Sequence, residues 1–377
     1  MNSSAKNSPS RNCATEFLRF VFCFIIINYH FYSHFLKRLD FPNFFARGYM
    51  GDEFFFMISG FYLARAAIQT EEKPALWNVG QLKRRIKKIA LPYYLTWVFC
   101  FFGVRLTRSL TGGTNRSIII DAANSIYELL FLEMFGFEKG LYSNDVAWFF
   151  SALLIVTFLL GFLAARYKKG FALYGAPLIA LFSYGILSLH YDLLHNPYLL
   201  IPNTFVLKGL VRALAAVCVG VCLNGLVDSE GFSGFIHAGR EDVLRLIRAA
   251  DLLLWALILA YMFYPFRTNS GQFPLQYDYL IVILMGAALI PVLGGLFSPA
   301  QPGRFSSAAC LLGKYAFYAY FGQAIFYSVD DLVYAAKIGI FPKALILNLS
   351  VILLSVLLYA ADCGLKKALG RKKRLQT

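Results

Sequence analysis

At 377 residues the chain would suggest two or three soluble domains by length, yet 58% of it is hydrophobic, 17% aromatic and only 15% charged, with mean hydropathy +0.58. A soluble domain carries about 25% charge, so the chain lacks the polar surface to stay in water; disorder, collagen and coiled coil are excluded by the same figures. The formal net charge of +15 does not point to nucleic acid, because Lys and Arg lie between apolar runs as a topology signal and not on one soluble face.

The apolar runs are ~20 residues long and continuous, which predicts an all-α integral membrane protein and not a barrel of ~10-residue alternating strands. Residues 1–14 are polar. Ten spans follow, near 15–36, 50–68, 89–107, 145–165, 171–190, 206–227, 249–266, 277–298, 307–327 and 344–364, and a basic tail occupies 365–377. The first run is too long for a signal-peptide core and lacks an A-x-A site, so it is expected to stay as a span. An amphipathic piece near 118–137 carries Asp121, Glu128 and Glu133 and reads as a re-entrant or interfacial helix. Alternating the loops places 23 Lys and Arg on one side and 11 on the other, with Arg19 and Arg212 left inside spans. That asymmetry predicts cytoplasmic termini. The seven cysteines, mostly inside apolar runs, form no C-x-x-C or His/Cys ligand pattern, so neither a disulfide framework nor a metal site is expected.

An ionisable residue deep in a bilayer costs ~2.5–3.5 kcal/mol or more, so each needs a reason. Arg19 and His30 are eleven residues apart in the first span, three helical turns, so they share a face ~16 Å apart along the axis. His34 lies one turn further on the same face and reads as interfacial. The second span opens on Gly51, Asp52 and Glu53 and runs on to Ser59 and Gly60. Travelling the opposite way, it brings Glu53 near the depth of His30, where a His–carboxylate pair would orient the imidazole and raise its basicity. Ser59 and Gly60 also suit plain close helix packing. Between Asn78 and Tyr94, Leu82, Ile86 and Ile89 share one stripe, while Lys83, Arg84, Arg85, Lys87 and Lys88 cover the rest. This predicts a helix on the cytoplasmic surface, serving either as a positive-inside anchor or as a site for a polyanionic ligand.

Together these residues resemble the acyltransferase 3 family of multipass membrane acyltransferases. Its first span carries Arg-x10-His, matched by Arg19 and His30. Its acidic, Phe-rich second span is similar to Gly51–Leu63, with Glu53 at the acidic position. Its basic run ending in Pro-x-Tyr is similar to Arg84, Arg85, Lys88, Pro92 and Tyr94. Trp148–Phe150, the spacing of Arg212 and Gly220, and Leu312–Gln323 follow in the family's order, although Gln323 stands where many members have His. The likeness covers nearly the whole chain. It implies about ten helices, an acyl-CoA donor, commonly acetyl-CoA, on the cytoplasmic side, and a glycan or lipid-linked sugar hydroxyl as acceptor. A fused esterase-like domain, present in some members, is not expected.

The sequence therefore reads as an inner-membrane O-acyltransferase of bacterial type. His30 is expected as general base or transient acyl carrier, oriented by Glu53, and Arg19, Arg84, Arg85 and Lys88 as holders of CoA phosphates. Ser59, Trp148, Arg212 and Gln323 are expected to line the substrate site. The rival reading is a non-enzymatic transporter or flippase of a glycan or lipid intermediate, using the same buried polar residues as a pathway.

Overall fold

The computed structural model describes residues 12–31, 44–113, 117–136, 144, 146–264, 276–298, 303–335 and 338–375. The described part is helical, with a single isolated bridge between Leu200 and Leu207. In chain order the helices are α1 (Cys13–Phe31), α2 (Gly51–Ile68), α3 (Pro74–Leu110), α4 (Ile118–Asn124), α5 (Ile126–Leu129), α6 (Ala147–Gly170), α7 (Ala176–His190) and α8 (Lys208–Val227). They continue with α9 (Glu230–Ala238), α10 (Glu241–Phe263), α11 (Asp278–Leu293), α12 (Arg304–Tyr327), α13 (Asp330–Ala335) and α14 (Ile340–Leu375). His34 and the end of the first predicted span lie outside the described residues.

Five helices are long and apolar enough to cross a membrane among the described residues: Cys13–Phe31, Pro74–Leu110, the joined Ala147–His190, Lys208–Val227 and the Ile340–Ala368 part of α14. The remaining predicted spans also fall on helices, but their composition is less decisive. α2 carries Asp52, Glu53 and Arg65; α11 has 16 residues; α12 intersperses Lys314 and several tyrosines. The outer faces of α7, α10 and α14 leave Leu181, Phe182, Leu189, Leu253, Leu345 and Leu353 exposed. A water-soluble surface does not carry such a belt; a lipid-facing one does.

Two boundaries depart from the sequence reading. The basic stretch from Asn78 is not a separate surface helix: it is the first half of α3, which runs unbroken for 37 residues with Pro92 inside. Its start is set by Pro74 at the first helical position, after an extended Lys73. Asn78 is buried and donates to the Phe158 carbonyl (2.8 Å), which ties this half of α3 to α6. Likewise the tail from 365 continues α14 as helix to Leu375. α6 and α7 meet through the wider winding of Phe171–Gly175, close to a non-helical Lys168 (φ 47°, ψ −123°). Over the described residues 117–136 no helix is long enough to cross a membrane. Two short helices and a turn at Glu133–Phe135 are stapled to α3 by Tyr93 donating to the Glu128 carbonyl (2.6 Å), Trp97 donating to the Glu128 carboxylate (3.0 Å), and an Arg105–Asp121 ion pair.

At the centre, α2 crosses α8, α1 lies on α12, and α12 lies on α14. The α2–α8 crossing is a backbone contact. A Cβ at Gly60 would strike the Val217 carbonyl, and one at Gly220 would strike the Met57 carbonyl. Two facing glycines thus bring the helix carrying Glu53 against the helix carrying Arg212.

Candidate functional site

A cavity of about 550 Å³ opens between α1, α2, α3, α6, α12 and α14. Its lining is in part cationic, with Arg19 from α1, Arg85 and Lys88 from α3, Lys314 from α12 and Lys366 from α14 beside the Glu16 carboxylate, and in part aromatic, with Phe55, Phe149, Phe150, Phe317 and Tyr320. Arg19 is fixed by Glu16 (3.0 Å) and lies over the Tyr62 ring at 5.9 Å. Lys88 lies over the Phe317 ring at 5.5 Å. Ser59 lines the cavity, its hydroxyl donating to the Phe55 carbonyl (2.8 Å). Arg85, Lys88 and Ile89 share one face of α3 by i, i+3, i+4 spacing, which is why they line the cavity together. Arg84 is about 100° around the helix from Arg85; it is exposed and outside the lining, so the structure does not bring it to the other expected phosphate holders.

A buried polar assembly adjoins the cavity through Phe56, which stacks on Phe149, and Trp148. Glu53 is fully buried; its Oε1 accepts from the Arg212 guanidinium (2.9 Å) and its Oε2 from the Tyr184 hydroxyl (2.7 Å). The expected His30–Glu53 pairing is thus replaced by Arg212 and Tyr184. The physical reason is the α2–α8 crossing, which delivers a guanidinium fork to the carboxylate, and a fork forms the stronger charge-assisted bond. Arg212 also donates to the Tyr49 carbonyl (3.2 Å) and lies over Trp148 at 5.6 Å, so these two expected site residues do meet. Alongside, Asp278 accepts from Tyr49 (2.9 Å), Tyr261 (2.8 Å) and the Leu194 amide (2.7 Å).

His30 is half-buried on α1 with its ring near Tyr29 (5.1 Å between centroids) and Tyr327 (5.9 Å). The Tyr29 and Tyr49 rings also approach His195, at 6.3 and 5.3 Å. Tyr320, which lines the cavity, donates to the Val146 carbonyl (3.3 Å) and stands within electrostatic range of Asp52 and Glu133. One turn on, Gln323 is fully buried and neither its amide oxygen nor its nitrogen has a hydrogen-bond partner. Among the described residues no group of three His, Cys, Asp or Glu could hold a metal.

Sequence reading missed Tyr184, Asp278, Lys208, Lys314 and Lys366. Lys208 is 2% exposed, its ammonium donating to the Leu193 and His195 carbonyls (2.7 and 2.6 Å) over the Tyr191 ring. Arg47, fully buried, donates to the Tyr261 carbonyl (3.2 Å). Lys208, Arg47 and Lys314 fall among the loop charges in the sequence reading, although Lys314 sits inside an apolar run, the signal that singles it out. Tyr184 gives no such signal, being one aromatic among many.

Comparison with known proteins finds no matching family model, no similar curated protein and no similar solved structure. The likeness to acyltransferase 3 rests on the motifs quoted above.

Proposed function

We propose that the protein is a membrane O-acyltransferase that moves an acetyl or other short acyl group from acyl-CoA to a hydroxyl of a glycan or lipid-linked sugar. The supporting observation is the cavity whose lining sets Arg19, Arg85 and Lys88 beside aromatic side chains. Such a lining suits a ligand with a phosphorylated head and a weakly polar arm. In this reading ten helices cross the membrane, both termini and the cationic mouth face the cytoplasm, and the membrane is a bacterial inner membrane. Arg19, Arg85 and Lys88 bind the CoA phosphates. His30 takes the proton of the acceptor hydroxyl as its oxygen attacks the thioester carbonyl; the thiolate leaves and recovers the proton. Serving as a transient acyl carrier is the other role open to the same imidazole. Glu53 acts at a distance, by holding Arg212 against Trp148.

The test is binding and turnover on the purified full chain. Acetyl-CoA should raise its Tm, and His30→Gln should abolish transfer while leaving that rise intact. A flippase, which would use the buried polar assembly as a pathway, predicts no thermal response to CoA, and that result would overturn the proposal.

A further inference from the structure

Lys314 and Lys366 enter the cavity from helices that supply none of the four expected phosphate holders. Both are held by built contacts. The Lys314 ammonium donates to the Tyr359 hydroxyl and sits over that ring at 4.1 Å. Lys366 pairs with Asp362, whose carboxylate also accepts from the Tyr318 hydroxyl at 2.7 Å. Asp362 and Tyr318 are buried, so the scaffold beneath the two lysines belongs to the packed α12–α14 interface and not to a solvated tail. An ammonium has three donors and each of these contacts uses one, which leaves N–H groups for a ligand. The cationic part of the lining therefore holds two kinds of anion site. Arg19 and Arg85 are forks suited to bidentate phosphate binding, and Lys88 stands with them. Lys314 and Lys366 are point charges suited to a dianionic monophosphate.

We infer that Lys314 and Lys366 form a second phosphate site that takes the ribose 3′-phosphate of CoA, while Arg19, Arg85 and Lys88 take its diphosphate. The inference rests on the acyl-CoA reading above and specifies how the donor is told apart from nucleotides lacking the extra phosphate. Tyr359 and Asp362 are positioning residues: they aim the two ammonium groups and do not touch the ligand.

The experiment measures the affinities of CoA and 3′-dephospho-CoA for the full chain in phosphatidylcholine nanodiscs. Wild type should prefer CoA by roughly 10- to 100-fold, the range expected of charge-assisted hydrogen bonds to one phosphate. Lys314→Gln combined with Lys366→Gln should bring the two ligands within about threefold, with dephospho-CoA binding unchanged, which also shows that the variant is folded. The double Lys→Arg variant should retain a preference. A preference that survives the Gln pair overturns the inference, as does a wild type that binds both ligands equally, and in both cases the donor reading stands. If wild type binds neither ligand, the donor reading fails and the inference with it. Discs containing phosphatidylglycerol address the other source of phosphate: loss of the preference there would assign the lysines to a lipid headgroup and overturn the nucleotide assignment.

Discussion

Glu53 and Arg212 are buried together, and removing one partner leaves the other as an uncompensated charge. Arg212→Met should cost about 3–5 kcal/mol and the double change with Glu53→Gln distinctly less, read as Tm in detergent; equal losses would show the pair to be uncoupled. His30→Gln keeps a polar side chain of similar reach between Tyr29 and Tyr327 but cannot take a proton. A positioned base contributes ~10²–10⁴-fold, so transfer should fall by at least ~10²-fold at equal protein level; more than about a tenth of wild-type rate would make His30 structural. Gln323, with both amide atoms buried and unpartnered, costs stability where it stands. Gln323→Leu should raise Tm, by the equivalent of ~1–3 kcal/mol, and lower acceptor turnover; a rise in Tm with full activity would remove Gln323 from the substrate site. Costly residues such as Arg19, Glu53 and Arg212 were legible in the sequence because apolar runs set them off. Their partners were not, since pairing depends on which helix lies alongside, and Tyr184 carries no mark of its role.

At the level of elements, the α2–α8 crossing explains why two glycines sit where they do. Gly220→Ala pushes a methyl toward the Met57 carbonyl, forces the helices apart and should cost about 1–3 kcal/mol, with loss of activity from a loosened Glu53–Arg212 contact. An alanine tolerated there without change in Tm would contradict the contact. The Arg212–Gly220 spacing could be read from sequence, but not its meaning, which needs the partner helix. At α3 the stripe of Leu82, Ile86 and Ile89 between basic residues reads in the sequence as an interfacial helix of its own. The structure makes it one helix with the span that follows, with Asn78 and Ile89 buried against neighbouring helices.

For the molecule as a whole, the charge split that would orient the chain mixes surface and committed cations. Among the described residues Arg47, Lys208 and Lys343, all counted on the less basic side, are buried. In a background without native cysteines, Thr204→Cys should label from outside intact cells and Glu72→Cys should not. Labelling of both would break the ten-span arrangement. Membrane character followed from composition, and helical class from the continuous apolar runs of ~20 residues. The ten runs read from the sequence exceed the five helices that are long and apolar enough to cross among the described residues, in part because Asp52, Glu53 and Arg65 make α2, and Lys314 and several tyrosines make α12, more polar.

At 1.5 Å per residue α3 is about 55 Å long, nearly twice the ~30 Å hydrocarbon layer it would cross. In the proposed arrangement, with the cationic mouth toward the cytoplasm, Arg85 and Lys88 would stand on the part of that shaft where acyl chains give way to headgroups, so the depth of the mouth would be fixed by where the bilayer surface meets the helix. A thicker bilayer would draw lipid up around the cationic rim, and a thinner one would leave it standing in water. The protein would then behave as a gauge of membrane thickness. In vesicles differing only in acyl-chain length, donor KM should shift while the rate at saturation stays level.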